Sequence, residues 1–250
     1  MSDFFTFYKD IRSMAQPFVT FHWLHFLILG IIFSTIYILL RRYRKMLLFQ
    51  QRRFQILMAV YFLLEECIYS GWLLLNCHEN VWMELLPLQL CSFCVYVSVA
   101  AVYFNKIELR FFCGVIGTFA GLIAIIYPAN ISHLYPAFSY RTINFFILHG
   151  AFILFGLIQL QDESLLRYGN IKRCSLLLSV MVIVAFAANL AFHTDYMFIG
   201  VPSSIGFIRS IYQMTGMLLF IPTVLFVLML LQYIIVFVLR HVPFLGRHTS

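Results

Sequence analysis

Charge is what this 250-residue sequence has least of. Asp, Glu, Lys and Arg together make up 11% of it, against about 25% in soluble domains. Only ten residues are acidic. That scarcity excludes a soluble enzyme and a solvated disordered chain. Six cysteines are too few for a disulfide-rich secreted scaffold. Internal repeats, low-complexity tracts and long linkers are missing. So are HExxH, a second CxxC beside Cys91-x-x-Cys94, a GxSxG elbow and a phosphate-binding glycine loop. No metal site and no cofactor is therefore expected. The N-terminus lacks the basic start, short apolar stretch and small cleavage residues of a signal peptide.

What remains is apolar. Hydrophobic residues are 62% of the chain, 28 residues are Phe, and the mean hydropathy is +0.91. A membrane span takes about 20 apolar residues. Seven runs qualify, at 18–40, 54–76, 85–104, 111–127, 143–160, 174–192 and 217–239. They lack the period-two alternation of barrel strands. The fourth is short, and its Gly114, Gly117 and Gly121 predict close packing among neighbours. The expected fold is an all-α integral membrane protein, a seven-transmembrane helix bundle over 18–240. It is flanked by an interfacial amphipathic segment (1–17, with Phe4, Tyr8 and Ile11 helically spaced) and a tail at 241–250.

The basic residues orient this bundle. Arg41, Arg42, Arg44, Lys45, Arg52 and Arg53 crowd the first loop. Lys106, Arg110, Arg167, Lys172, Arg173, Arg240 and Arg247 fall on the same side, leaving Lys9, Arg12, Arg141 and Arg209 on the other. The positive-inside rule then puts the N-terminus outside and the C-terminus in the cytoplasm. The net charge of +7 reads as contact with anionic headgroups at the cytoplasmic face, and nucleic acid is not an expected partner. Membrane lipids are; protein partners are not specified by the sequence.

Ionisable residues inside the membrane mark function. Glu65 and Glu66 lie about 16 Å below the outer end of the second run. Tyr61, Glu65, Tyr69, Trp72 and Asn76 form one stripe on it, and Glu66 points about 100° away. His25, Gln89, Cys91, His149, Asn189 and His193 fall in the outer half of the bilayer, with His22 near the start of the first run and Tyr196 just beyond the sixth. A shared polar cavity opening outward is the simplest account of that convergence. A single such residue can equally be an interhelical hydrogen bond. Cys91-x-x-Cys94 has redox-pair spacing, though cysteines at i, i+3 also serve as small apolar residues.

Leu86-Pro87-Leu88-Gln89-Leu90-Cys91 resembles the LPLHLC motif of YwaF-type bacterial integral membrane proteins. Phe145-Phe146-Ile147-Leu148-His149 resembles their FFxxH. Gly117 to Pro128, Asn189 through Asp195-Tyr196-Met197 to Pro202, and Phe18 to His25 follow the same order. The resemblance implies a multi-pass protein of the bacterial plasma membrane. It extends to the transmembrane protein 164 group, described as an acyltransferase making polyunsaturated ether phospholipids through a Cys and a His. That likeness implies His149 as the catalytic histidine. The group's PCH motif falls on Pro87-Leu88-Gln89, so its Cys and adjacent His are Leu88 and Gln89 here, with Cys91 close to one helical turn away. Two readings follow. One is an acyltransferase or lipid hydrolase, with His149 as base, Cys91 as nucleophile, Glu65 or Glu66 orienting the His, and Gln89 and Asn189 as oxyanion donors. There His25, His193 and Tyr196 complete the substrate site. The other is a non-enzymatic lipid or small-amphiphile carrier, or an envelope scaffold.

Overall fold

In lipid every main-chain polar group must be satisfied within the segment, so long apolar runs become helices. The structure, a computed structural model, describes residues 4, 5, 7, 17–77 and 81–241. Its helices are α1 (Trp23–Arg44), α2 (Leu48–Asn76), α3 (Val81–Leu85), α4 (Leu90–Phe104), α5 (Ile107–Phe111), α6 (Thr118–Ile126), α7 (Tyr140–Gln159), α8 (Tyr168–Phe192) and α9 (Gly206–His241). A π-helical turn, Phe112–Gly117, joins α5 to α6 into one continuous rod. The described residues contain no strand, only an isolated antiparallel bridge between Pro17 and Pro136.

Among the described residues six stretches are long and apolar enough to cross a membrane: α1, α2, Ile107–Ile126, α7, α8 and α9. Apolar α4 is shorter, at 15 residues. α7 is central. It packs against α1, α2, the π turn and α6, and 72% of its most apolar window is buried, against 11% for α1. The glycines allow this. A Cβ on Gly150 would sit 3.1 Å from Ile32 of α1, and one on Gly121 would sit 3.1 Å from the His149 carbonyl.

Several boundaries differ from the hydropathy runs. Residues 18–22 are not helical: Phe18 exchanges main-chain hydrogen bonds with Tyr135 and His133. α1 instead runs on through Arg41, Arg42 and Arg44, where cations favour a helix C-terminus. The third run splits at Pro87, which has no N–H to continue a helix, and Gln89 becomes the N-cap of α4. The fourth gains a turn carrying Glu108 and Arg110 because both charges are paired. The stretch 206–216, expected as loop, is helical up to a break at Gly216, whose φ of 66° suits glycine.

Opposite ends of the bundle differ in chemistry. At one end Arg110 donates to Gln159 (2.9 Å) and pairs with Asp162 (3.0 Å), while Arg173 pairs with Glu108 (3.0 Å). Partial burial pushes the Asp162 carboxyl up, but Ser164 and the Arg110 guanidinium outweigh it and hold the group below its ordinary value. A depressed folded value means this contribution is present above the unfolded carboxylate pKa, near about 4. It is lost as pH falls through the folded value. Asp162→Asn is expected to flatten the acid side of a melting-temperature profile below about pH 4, by under about 1 kcal/mol because the pair is partly exposed. An unchanged acid side would show that the pair contributes nothing.

The expected 1–17 segment and 241–250 tail lie mostly outside the described residues, Tyr8 and Ile11 included. Phe5 and Phe7 are described. The Phe5 carbonyl accepts from Trp72 Nε1 (2.8 Å), and the Phe7 ring lies 5.7 Å from the Trp72 ring.

Candidate functional site

The α2 stripe meets α7. Tyr69 stacks on Trp72 with ring centres 5.8 Å apart, and Trp72 meets Tyr140 at 5.4 Å. One turn deeper, Glu65 lies beside Asn144, and Tyr61 and Tyr140 are within its electrostatic reach. Asn144 Nδ2 donates to Tyr140 Oη (2.9 Å). Three polar atoms here are buried without a partner: Tyr61 Oη, Glu65 Oε1 and Asn144 Oδ1. Glu66 turns away, as its 100° offset predicts, and lies beside Tyr96 of α4. The two carboxylates therefore serve different helices.

His149 is buried between Phe145 (ring centres 4.2 Å) and Phe152 (5.8 Å). Its Nδ1 lies 2.7 Å from the Phe145 carbonyl. A carbonyl only accepts, so Nδ1 carries the proton and Nε2 is the basic nitrogen. Nε2 bonds to no described residue. The helix that aims it starts from a built cap: Ser139 Oγ accepts from the Thr142 amide (3.2 Å), and Thr142 Oγ1 donates to the Pro136 carbonyl (2.9 Å).

Arg141 joins the two groups. Its guanidinium lies over the Tyr69 ring, 4.7 Å from the centre. Glu65, Glu84, Cys91 and His149 are all within its electrostatic reach. Sequence reasoning put Arg141 in a loop because the fifth apolar run begins at 143. α7 starts at Tyr140, which takes Arg141 into the helix two turns above His149. That spacing was the available signal. Cys91 stands near Arg141 and Glu66, with no hydrogen bond to His149 and no disulfide to Cys94.

The other expected site residues have different neighbours. His25 is fully buried. Its Nδ1 accepts from the Phe21 amide (3.1 Å) and its Nε2 donates to the Ile125 carbonyl (2.8 Å), so both ring nitrogens are engaged by main chain. Asn189 accepts from Thr194 (2.9 Å) and the Tyr196 amide (2.7 Å), and donates to the Tyr196 carbonyl (3.0 Å). Tyr196 Oη donates to the Met83 carbonyl. Gln89 Oε1 accepts from the Met197 amide (3.0 Å). Asn189, Tyr196 and Gln89 thus build the 193–205 loop and fasten it to α3 and the start of α4. His193 is exposed at the left-handed C-cap of α8. Asn189→Leu is expected to strand the Tyr196 main chain at about 1–3 kcal/mol per buried group. Hydrogen exchange should accelerate in 194–205 alone; unchanged protection there would refute the fastening role.

Among the described residues no group of three or more His, Cys, Asp or Glu is placed to hold a metal ion. A family model described as the TMEM164 family matches residues 17–236, from the Pro17 bridge into α9 and across the whole site. No curated protein and no solved structure matches the chain.

Proposed function

The chain belongs to the TMEM164 family and is a multi-pass membrane protein, and from that premise we propose that it carries out acyl chemistry on membrane lipids, transfer or hydrolysis, with His149 as general base. The observation that carries this reading is the locked tautomer of His149: the Phe145 carbonyl holds the Nδ1 proton and leaves Nε2 basic and without a partner.

In this mechanism Nε2 accepts the proton of an attacking hydroxyl while its oxygen adds to a lipid ester carbonyl. Collapse of the tetrahedral intermediate returns that proton to the departing alcohol oxygen, and the acyl group has moved. Water as the attacker gives hydrolysis. Gln89 is the candidate oxyanion donor, since its Nε2 bonds to no described residue. Cys91 adds a covalent variant: its sulfur takes the acyl group as a thioester while the thiol proton passes to the departing first alcohol, and a second hydroxyl then attacks the thioester, its proton restoring the thiol.

We also propose seven spans, with α4 as the seventh, the N-terminus outside and the C-terminus cytoplasmic. The paired charges of Arg110, Asp162, Arg173 and Glu108 at one end of the bundle support this, as does the site at the other. The Leu86–Cys91 and Phe145–His149 motifs support a YwaF-type bacterial branch and a plasma-membrane location. The test is acyl exchange by the full chain in nanodiscs containing a lipid with a labelled acyl chain, read by mass spectrometry. New labelled lipid, formed without any gradient, is the expected product. A labelled adduct on Cys91 would select the covalent variant. Retention of intact lipid with no product would make this protein a carrier.

A further inference from the structure

The site presents two unmet demands side by side. Arg141 makes no hydrogen bond or ion pair with any described residue, yet its guanidinium carbon lies over the Tyr69 ring, 4.7 Å from the centre. A guanidinium is planar and offers parallel N–H donors, the arrangement that fits two oxygens of a phosphate. A cation this close to the hydrocarbon calls for an anion. Glu65 and Glu84 are within electrostatic reach but form no ion pair with it.

One turn deeper on α7 the demand is reversed. Asn144 is 6% exposed and its Nδ2 is already bonded to Tyr140 Oη, so its unpartnered Oδ1 can only accept. Glu65 Oε1 is also an unpartnered buried acceptor when the carboxyl is ionised, and Tyr61 Oη stands beside it. Asn144 is a hydrogen-bonding neighbour of Glu65, but Glu65 Oε1 and Asn144 Oδ1 are left without a partner, and buried acceptors left unmet are costly, so an occupant that brings O–H or N–H donors fits this corner. The two demands are three residues of helix apart, roughly 4.5 Å of rise.

Resting on the lipid-active reading, we infer that Arg141 on Tyr69 and the Tyr61–Glu65–Asn144 corner together receive one lipid headgroup: a phosphodiester at Arg141, whose hydroxyl- or amine-bearing alcohol donates to Glu65 and Asn144. A trimethylammonium headgroup has no O–H or N–H to give and is disfavoured. A lipid without phosphate leaves Arg141 unanswered.

The test is competitive retention on the full chain in detergent, read by native mass spectrometry. Dioleoyl lipids with phosphoglycerol, phosphoethanolamine and phosphocholine headgroups are offered together with dioleoylglycerol. The wild type is expected to retain the first two about tenfold over phosphocholine, and all phosphate-bearing lipids over dioleoylglycerol. Arg141→Gln should erase the preference for phosphate, and Arg141→Lys should restore part of it. Asn144→Leu with Glu65→Gln should erase the discrimination against phosphocholine while keeping the preference for phosphate. Displacement by soluble glycerophosphoglycerol supports a headgroup receptor. Displacement to the same extent by inorganic phosphate overturns the donor half of the inference. Equal retention of phosphocholine by the wild type overturns it even if the variants fail to fold. Retention is read without turnover: selectivity with no acyl product sinks only the acyl-chemistry reading, and acyl product without selectivity sinks only this one.

Discussion

His149→Gln is expected to lower acyl turnover by roughly two to four orders of magnitude, the usual contribution of a positioned general base. The side-chain amide can fill most of the space between Phe145 and Phe152, but it has no nitrogen that takes up and releases a proton near neutral pH. His149→Ala is a poorer probe, because removing a buried ring leaves a cavity and destabilises the bundle for reasons unrelated to chemistry. The measurement is initial rate in nanodiscs alongside the unfolding temperature. Loss of rate with an unchanged unfolding temperature assigns the effect to Nε2. Turnover at the wild-type rate would end the general-base mechanism.

Gly156→Val is expected to be the most disruptive single change to the fold outside the site. The crossing of α7 over the π turn and α6 leaves no room there. A Cβ on residue 156 would collide with the Thr118 side chain and lie 2.5 Å from the Cys113 carbonyl. A carbonyl on a packed helix cannot swing aside as a flexible side-chain end can. The expected loss is at least about 1–3 kcal/mol, the range for overpacking a full core. Gly156→Ala should already fall measurably. Gly30→Ala is the control: nothing lies within 4 Å of the added methyl, and replacing a mid-helix glycine should be neutral or gain up to about 1 kcal/mol. Intrinsic-fluorescence melts of the three proteins decide it. A Gly156→Ala melt matching that of Gly30→Ala would mean the crossing relaxes easily.

His25 and Asn189 show how a polar residue in a membrane bundle admits two readings, a ligand of a cavity or an internal hydrogen bond. From the sequence both fit a shared outer cavity, and either fits a hydrogen bond within the bundle. In the folded chain His25 satisfies the Phe21 amide and the Ile125 carbonyl at the C-terminal end of α6, and Asn189 satisfies the Tyr196 amide and carbonyl together with the Thr194 hydroxyl. Loops at the membrane surface have main-chain donors and acceptors that no helix ladder meets. Side chains of this kind meet them, and a sequence does not say which loop will come near.

The sequence by itself determined the helical, membrane-spanning class, because hydrocarbon tolerates the polar main chain of an apolar run only as a self-satisfied helix or a closed barrel. It also determined which face of α2 turns inward, because a stripe of Tyr61, Glu65, Tyr69 and Trp72 at helical spacing has one low-energy direction to face. The divergence of Glu65 and Glu66 toward different helices followed from the 100° step of the same geometry. Only the tertiary structure decided what meets what. Arg141 moved from loop to site because α7 begins three residues before its apolar run. The tautomer of His149 was set by the Phe145 carbonyl one turn back. The unmet acceptors of Glu65 and Asn144 became neighbours because α2 packs its polar stripe against α7. Hydropathy is a property of each residue against its solvent, whereas hydrogen-bond partnership is a property of pairs that only packing brings together.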